Sequence, residues 1–494
     1  MNNIPEVKLG IVAVSRDCFP ITLSIARREA IMEVCKANGL PVVEIKTTIE
    51  NEQDAMQALK ELHDSEVNAL VLFLGNFGPE GPETMLAEKF EGPTMVVAAA
   101  EEDIPVLSAN RGDAYCGMLN ASYNLQLRGV KAYIPSYPVG DAQYIYEKMV
   151  EFVPIARAIL GVRDLKIFTF GPRPYDFLAC NAPIAPLFTL GVNVQENSEL
   201  DLLKSYNEHK NDPRIPDVIR DMENELGEGN KMPGILPKLA QYELTLLDWI
   251  DANKGAAKYV AFANKCWPAF QTEFGFVPCY VNSRLTARGI PVSCEVDIYG
   301  ALSEYIGTCV TGEPVTLLDI NNSVPKDMYQ ASIAGKTPYT PQDVFMGFHC
   351  GNTPMCRLVK GTMKYQLIMH RGLEPDKEPD ITRGTLEGDI APGPITFFRL
   401  QGNKDSVLKS YVAEGEVLPV ATQSFGGIGV FAIPEMGRFY RHVLIQDGYP
   451  HHGAVAFGHA GQALFEVMKW LGATTVSFNQ PKGVYYPGEN PYAK

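Results

Sequence analysis

The strongest constraint in this sequence is an alternation. Over the first ~170 residues, apolar runs at 7–14, 41–45, 69–74 and 94–99 are separated by segments of helical period. In the segment 22–38, Leu23, Ala26, Ala30 and Val34 recur at helical spacing, and Gly39 follows as a stop. A second helical segment lies at 54–63. Strands that alternate with helices build a parallel sheet covered on both faces. The pattern begins again after residue 164, with strands expected at 166–170, 258–263 and 290–294 and helices at 200–225, interrupted by Pro213 and Pro216, and at 237–252. Beyond Gly312 the texture changes. Pro and Gly become frequent, and β-type runs follow at 315–320, 344–348, 363–369, 395–400, 406–414 and 429–433, with one helix at 461–470. The expected fold is α/β, with two doubly wound parallel-sheet (Rossmann-like) domains, 1–165 and 166–312, followed by a β-rich C-terminal domain, 313–494.

Length and charge narrow the function. A chain of 494 residues exceeds one ordinary core. Its net charge of −15 opposes binding to a phosphate backbone or an anionic membrane surface. The first residues lack the basic and apolar regions of a signal peptide, and no apolar run approaches the ~18 residues of a membrane span. Ten scattered cysteines without a Cys-x-x-Cys pair read as free thiols in a reducing compartment. A cytoplasmic enzyme acting on a small molecule is expected, without nucleic-acid or membrane partners.

Three places could carry chemistry. The first is the carboxyl end of the second sheet, where ligands bind in such folds. There the strand 260–263 leads through Trp267 to Glu273, and the strand 290–294 runs into Glu295-Val296-Asp297. Asp297 closely follows an apolar strand, and a buried carboxylate needs a partner, which a metal ion can supply. The same position suits a helix N-cap. Glu295 alternates with Asp297 and is expected to face elsewhere. The second place is Tyr449-Pro-His451-His452-Gly-Ala-Val-Ala-Phe-Gly-His459, which holds three of the eight histidines. Imidazole is the commonest metal ligand and a good general base. His459 is expected to cap the helix that follows. The third place is His349, at a strand end before Cys350-Gly-Asn-Thr-Pro354. Gly427-Ile-Gly429 matches a dinucleotide fingerprint by letters, but Pro434 and Gly437 stand where its helix should run, so a β turn is expected.

Gln271-Thr-Glu273, Cys294-Glu-Val-Asp297-Ile-Tyr-Gly-Ala-Leu302 and His452-Gly-Ala-Val-Ala-Phe-Gly-His459 together resemble the L-fucose isomerases. Glu273 and Asp297 stand 24 positions apart, a separation similar to that of the family's metal-binding Glu and Asp. The resemblance implies that Glu273, Asp297 and His452 bind the catalytic metal, with Glu273 and Asp297 also catalytic. His349 is the expected fourth ligand, because the similar L-arabinose isomerases use an additional histidine. Arg16, Trp267 and His451 are the candidates for contacting substrate. Two carboxylates with one or two imidazoles suit Mn²⁺, with Co²⁺ or Mg²⁺ possible. The implied reaction is aldose–ketose isomerisation through an enediol, on L-fucose, D-arabinose, L-arabinose or a related aldose. The alternatives from other classes are a non-catalytic sugar-binding protein and a metal-dependent hydrolase. The resemblance also implies a homohexamer in which one subunit's first domain covers another's site. The segment around Arg16 would then reach the sugar, or else Arg16 sits in a solvated loop.

Overall fold

The computed structural model describes residues 3–102 and 109–492. The chain divides into two compact units. One spans 5–160, and the other joins residues 3–4 to 161–492.

The first unit is built on five strands, β1 (Leu9–Val14), β2 (Val42–Glu44), β3 (Ala69–Leu74), β4 (Thr94–Ala99) and β5 (Val139–Gly140). They hydrogen-bond in the order β2-β1-β3-β4-β5, all parallel. Every residue of β1, β3 and β4 is buried, as a strand covered on both faces requires. The connecting helices are α1 (Ile21–Ala37), α2 (Glu52–Asp64), α3 (Glu80–Lys89) and α4 (Ala114–Leu127), and α5 (Ala142–Arg163) leads out of the unit. This is the doubly wound sheet that the alternation predicts.

The second unit opens with four parallel strands in the order β7-β6-β8-β9: β6 (Leu165–Phe170), β7 (Asn193–Asn197), β8 (Tyr259–Ala263) and β9 (Val292–Ser293). Its helices are α6 (Ala185–Thr189), α7 (Glu199–Glu208), α8 (Ile215–Leu226), α9 (Leu236–Asn253), α10 (Phe270–Phe274), α11 (Cys279–Ala287) and α12 (Ile298–Thr311). The helical stretch at 200–225 breaks where its prolines predict, with Pro216 in the first turn of α8.

The strands that follow are β10 (Thr316–Ser323), β11 (Val344–His349), β12 (Thr362–Tyr365), β13 (Arg383–Asp389), β14 (Gly393–Gly402), β15 (Leu408–Leu418), β16 (Gly427–Ala432), β17 (His452–Phe457) and β18 (Val476–Phe478). Short helices α13 (Lys326–Ser332), α14 (Leu367–Leu373) and α15 (Met436–Phe439) sit between them, and α16 (Gly461–Trp470) precedes β18. Strands β16, β11, β10, β17, β14 and β15 pair antiparallel in that order, and β15 pairs back onto β16. The sheet thus closes into a barrel and leaves those strands no free edge. The apparent dinucleotide fingerprint is strand β16. The run at 363–369 is not one strand. It breaks at Gln366, whose buried amide accepts from Gln271 Nε2 at 2.6 Å, and α14 begins immediately after. One core runs through the unit, joining Leu239, Phe262 and Phe276 to Leu386, Phe397 and Tyr411.

Candidate active site

Two chain turns and one strand register build the site. Strand β9 ends at Ser293, and Glu295 and Val296 then adopt left-handed backbone with φ of 58° and 56°. Such a conformation costs on the order of 1–3 kcal/mol per residue, most for a β-branched one. It is held by Val296 N donating to Asn264 O and Asp297 N to Cys294 O, each at 3.0 Å. This turn breaks the strand alternation, so Glu295 and Asp297 both point toward His452.

Asp297 is buried and fully bonded. Its Oδ1 accepts from Gly300 N and Arg399 Nη2, both at 2.8 Å. Its Oδ2 accepts from Arg399 Nη1 at 2.8 Å and lies 2.9 Å from His452 Nδ1. Asp297 therefore does cap α12. A Cβ at Gly300 would lie 2.6 Å from Asp297 Oδ2, so the cap requires glycine there. Burial pushes the Asp297 carboxyl up, but the Arg399 charge and His452 outweigh it and hold it well below the usual carboxylate range. Its lone pairs are taken, so its task is to fix the His452 ring with Nε2 facing away from it. A carboxylate behind a ligating histidine does this in metal sites.

The barrel supplies the rest. Antiparallel pairing sets Asp319 on β10 directly opposite His452 on β17 and opposite Phe348 on β11. His349 follows Phe348, and its ring centroid lies 5.8 Å from that of His452. His452 Nε2 is 3.1 Å from Glu295 Oε2 and 3.4 Å from Asp319 Oδ1. Asp319 Oδ1 is buried without a hydrogen-bond partner, and the buried His452 Nε2 has only carboxylates, Glu295 nearest, within reach. Ligand atoms of Asp319, His349 and His452 lie within 4.8 Å of one another, as do those of Glu295, His451 and His452.

The electrostatics are those of crowded acceptors. Burial raises the Asp319 carboxyl to about 7, aided by the Glu295 charge and opposed by His452. Burial also pushes Glu295 up, but the hydrogen bond and charge of His452 prevail and hold it below its ordinary value. Burial lowers His349 and His451 to about 4, keeping both rings neutral at pH 7. Burial alone would lower His452, yet Asp297, Cys180 and Glu295 raise it well above its usual range. Two largely buried carboxylates and three imidazoles whose ligand atoms converge this closely fit a divalent cation, whose charge the carboxylates would balance.

Against the sequence expectations, His452, His349 and His451 gather here, and Asp297 stands behind them as the group that orients His452. Glu273 does not join them. Phe270 and Phe274 of α10 pack into the core and leave Glu273 exposed, lining a separate cleft of about 570 Å³ with Glu196, Asn197 and Glu199. The structure puts Glu295 and Asp319, not Glu273 and Asp297, beside His452. Those two also stand 24 positions apart, so the same separation fitted both pairs. A signal for Asp319 was present as well, a lone acid inside the apolar run Leu317-Leu-Asp-Ile320. Trp267 packs edge-on to Phe177, and Phe177 in turn meets His451 with centroids 5.6 Å apart. His459 Nε2 donates to Gly415 O at 3.2 Å and takes no part. Arg16 belongs to the first unit, where it pairs with Glu80 at 3.3 Å and lies over the Phe77 ring.

Comparison with known proteins bears on this site. Residues 10–163 match the N-terminal domain of fucose/sulfoquinovose isomerases, and residues 347–478 match the C-terminal domain of L-fucose isomerase. Sulfoquinovose isomerases of Priestia aryabhattai and Priestia megaterium are each 23% identical over 474 residues, covering 94% of this chain and 97% of theirs. That of Clostridium sp. (strain MSTE9) is 23% identical over 397 residues, covering 78% of this chain and 81% of its own.

Proposed function

The chain belongs to the L-fucose isomerase family and is a sugar isomerase, and from that premise we propose that it is a divalent-metal-dependent aldose–ketose isomerase whose ion is held by Glu295, Asp319 and His452. The supporting observation is the buried convergence of Asp319 Oδ1, which no hydrogen-bond donor satisfies, with His452 Nε2 and the Glu295 carboxylate. His349 completes the ring of ligand atoms from the β11 side. Mn²⁺ suits this donor set, with Co²⁺ and Mg²⁺ as substitutes. When bound, the ion supplies Lewis-acid stabilisation of the negative charge that develops on the sugar oxygens.

The residues do the rest. Isomerisation removes a proton from the carbon beside the carbonyl and returns one to the neighbouring carbon. Glu295 and Asp319 flank His452 Nε2, so one carboxylate can take the proton at its free oxygen and deliver it one carbon away. Asp297 and Arg399 keep the His452 ring from turning during that transfer. Trp267, Phe177 and His451 form an aromatic wall beside His452.

The names of the relatives make sulfoquinovose, an aldohexose carrying a sulfonate, the first substrate to test, alongside L-fucose, D-arabinose and L-arabinose. We place the enzyme in the cytoplasm, supported by ten cysteines that are all free thiols. No described helix is long and apolar enough to cross a membrane. We also place it in a homo-oligomer, a hexamer by family resemblance, in which Arg16 reaches the sugar of another copy. The test is ketose formation from each aldose, before and after chelation. Activity should vanish with the ion and return best with Mn²⁺ or Co²⁺. Full turnover by metal-free enzyme would refute the proposal, and a cleaved product would indicate a hydrolase instead.

A further inference from the structure

The helix α4 presents an outward face that its own unit leaves uncovered. Tyr115, Leu119, Tyr123 and Leu127 are 64%, 68%, 62% and 65% exposed. Their spacing of four residues makes them one ridge on the helix surface. The helix cannot roll to hide them. Its inner face, Ala114, Gly117, Met118, Ala121 and Leu125, is already buried. A Cβ on Gly117 would lie 2.0 Å from Phe77 O, so the helix sits as close to the loop after β3 as its backbone allows. Asn120 and Asn124 tie it to α3, donating to Glu80 at 3.0 and 3.2 Å.

We infer that this ridge is where a second copy of the chain docks. The proposal takes only the assembly part of the function proposed above and adds the surface that forms it. Charge selects the occupant. No charged residue occurs between Ala114 and Leu127, in a chain whose net charge is −15. A face that meets its own copy must be neutral, because any net charge on it would oppose itself. A basic partner would instead be met by the acidic surface found elsewhere. The ridge is also self-complementary. Ridges of spacing four interlock at about −50°, and a two-fold axis between Leu119 and Tyr123 sets each against the other while Tyr115 meets Leu127 of the second copy. Four such side chains offer on the order of 500 Å² per copy, against ~800 Å² in a stable interface. Ile134 and Tyr137 in the following segment are exposed as well and add apolar area.

Light scattering of the whole chain should give a multiple of 54.4 kDa. The double variant Leu119→Glu, Tyr123→Glu should at least halve the particle mass with its circular dichroism unchanged. Met56→Glu, an exposed apolar site on α2, should leave the mass intact. If the double glutamate variant misfolds, Leu119→Cys with Tyr123→Cys and Cys116→Ser should give a cross-linked dimer under mild diamide oxidation. An unchanged mass in the folded glutamate variant, or no cross-link in the cysteine variant, would overturn the α4 surface while leaving assembly itself standing. A monomeric wild-type particle would overturn both, and neither result touches the metal-dependence test.

Discussion

The two parallel sheets of this molecule end alike and are finished differently. At the carboxyl end of the first, the polar side chains of Asn76, Arg27 and Glu101 bond within their own unit. Asn76 accepts from Arg16 N at 3.0 Å and donates to Ser15 Oγ at 2.8 Å. Arg27 donates to Gly75 O at 2.8 Å and to Glu101 at 3.1 Å, and Glu101 caps Gly112 N at 2.9 Å. Among the described residues, the buried acid without a hydrogen-bond partner there is Glu83, pushed up to about 8, chiefly by burial and only partly opposed by the Arg16 charge. At the end of the second sheet, Glu295 and Asp319 converge on the single buried ring of His452. Burial of an acid thus keeps a proton in one place and gathers candidate cation ligands in the other. What separates them is the number of ligand atoms that share the space.

The largest effect should come from breaking the second site. Glu295→Gln and Asp319→Asn should each lower ketose formation by at least ~1,000-fold with the fold retained, because each removes both a charge for the ion and a proton carrier. Glu273→Gln, in the exposed cleft, should stay within about threefold of the parent. A reversed ranking would return the metal to the pair first expected from the sequence.

That ranking also measures what the sequence made legible. Strands and helices could be read because apolar runs and helical periods survive in the folded chain, and α16 was expected at 461–470 and runs from Gly461 to Trp470. Histidines 349, 451 and 452 could be read because imidazoles are scarce and their strand ends are marked by glycine. Glu295 does not face elsewhere because strand alternation stops at Ser293, where the backbone turns left-handed. Asp319 was passed over because a single acid in an apolar strand looks like strand. Only the closure of the barrel, which sets β10 against β17, shows that it faces His452. The spacing of 24 fits Glu273 with Asp297 and Glu295 with Asp319 equally, so it could not choose between the pairs.

A middle-sized effect should separate holding the ion from aiming its ligand. Asp297→Asn leaves the cap oxygen but removes the charge that balances Arg399 and fixes the His452 ring. Mn²⁺ affinity, read by calorimetry or the spin-resonance signal of free Mn²⁺, should fall ~10–100-fold, with turnover at saturating Mn²⁺ falling less. Loss equal to that of Asp319→Asn would make Asp297 a ligand after all.

Smaller again is the expected effect in the first unit, where Arg16 pairs with Glu80 at the rim of an open cleft of about 520 Å³. Arg16→Ala should raise KM for the sugar several-fold with little change in metal affinity, since a half-exposed guanidinium offers ~1 kcal/mol of hydrogen bonding. An unchanged KM would leave Arg16 as a solvated loop residue.

The smallest effect should leave activity untouched and appear only in stability. Glu83 titrates at about 8 in the folded chain, raised first by burial and then by the Glu80 charge, with Arg16 partly opposing them. Unfolded, it would ionise near ~4.3. Between those values the folded state holds a proton that the unfolded state has released. Stability is therefore full below the lower value and falls as pH rises toward the upper one, by at most ~1.4 kcal/mol per pH unit. Glu83→Gln keeps the shape and removes the titration. Its thermal midpoint should match the parent near pH 5 and exceed it by several degrees near pH 9, as followed by circular dichroism. A parallel pH dependence in the two proteins would mean that Glu83 is ionised in place, with a hidden cationic partner. The contrast between the two sheet ends would then rest on the second site alone.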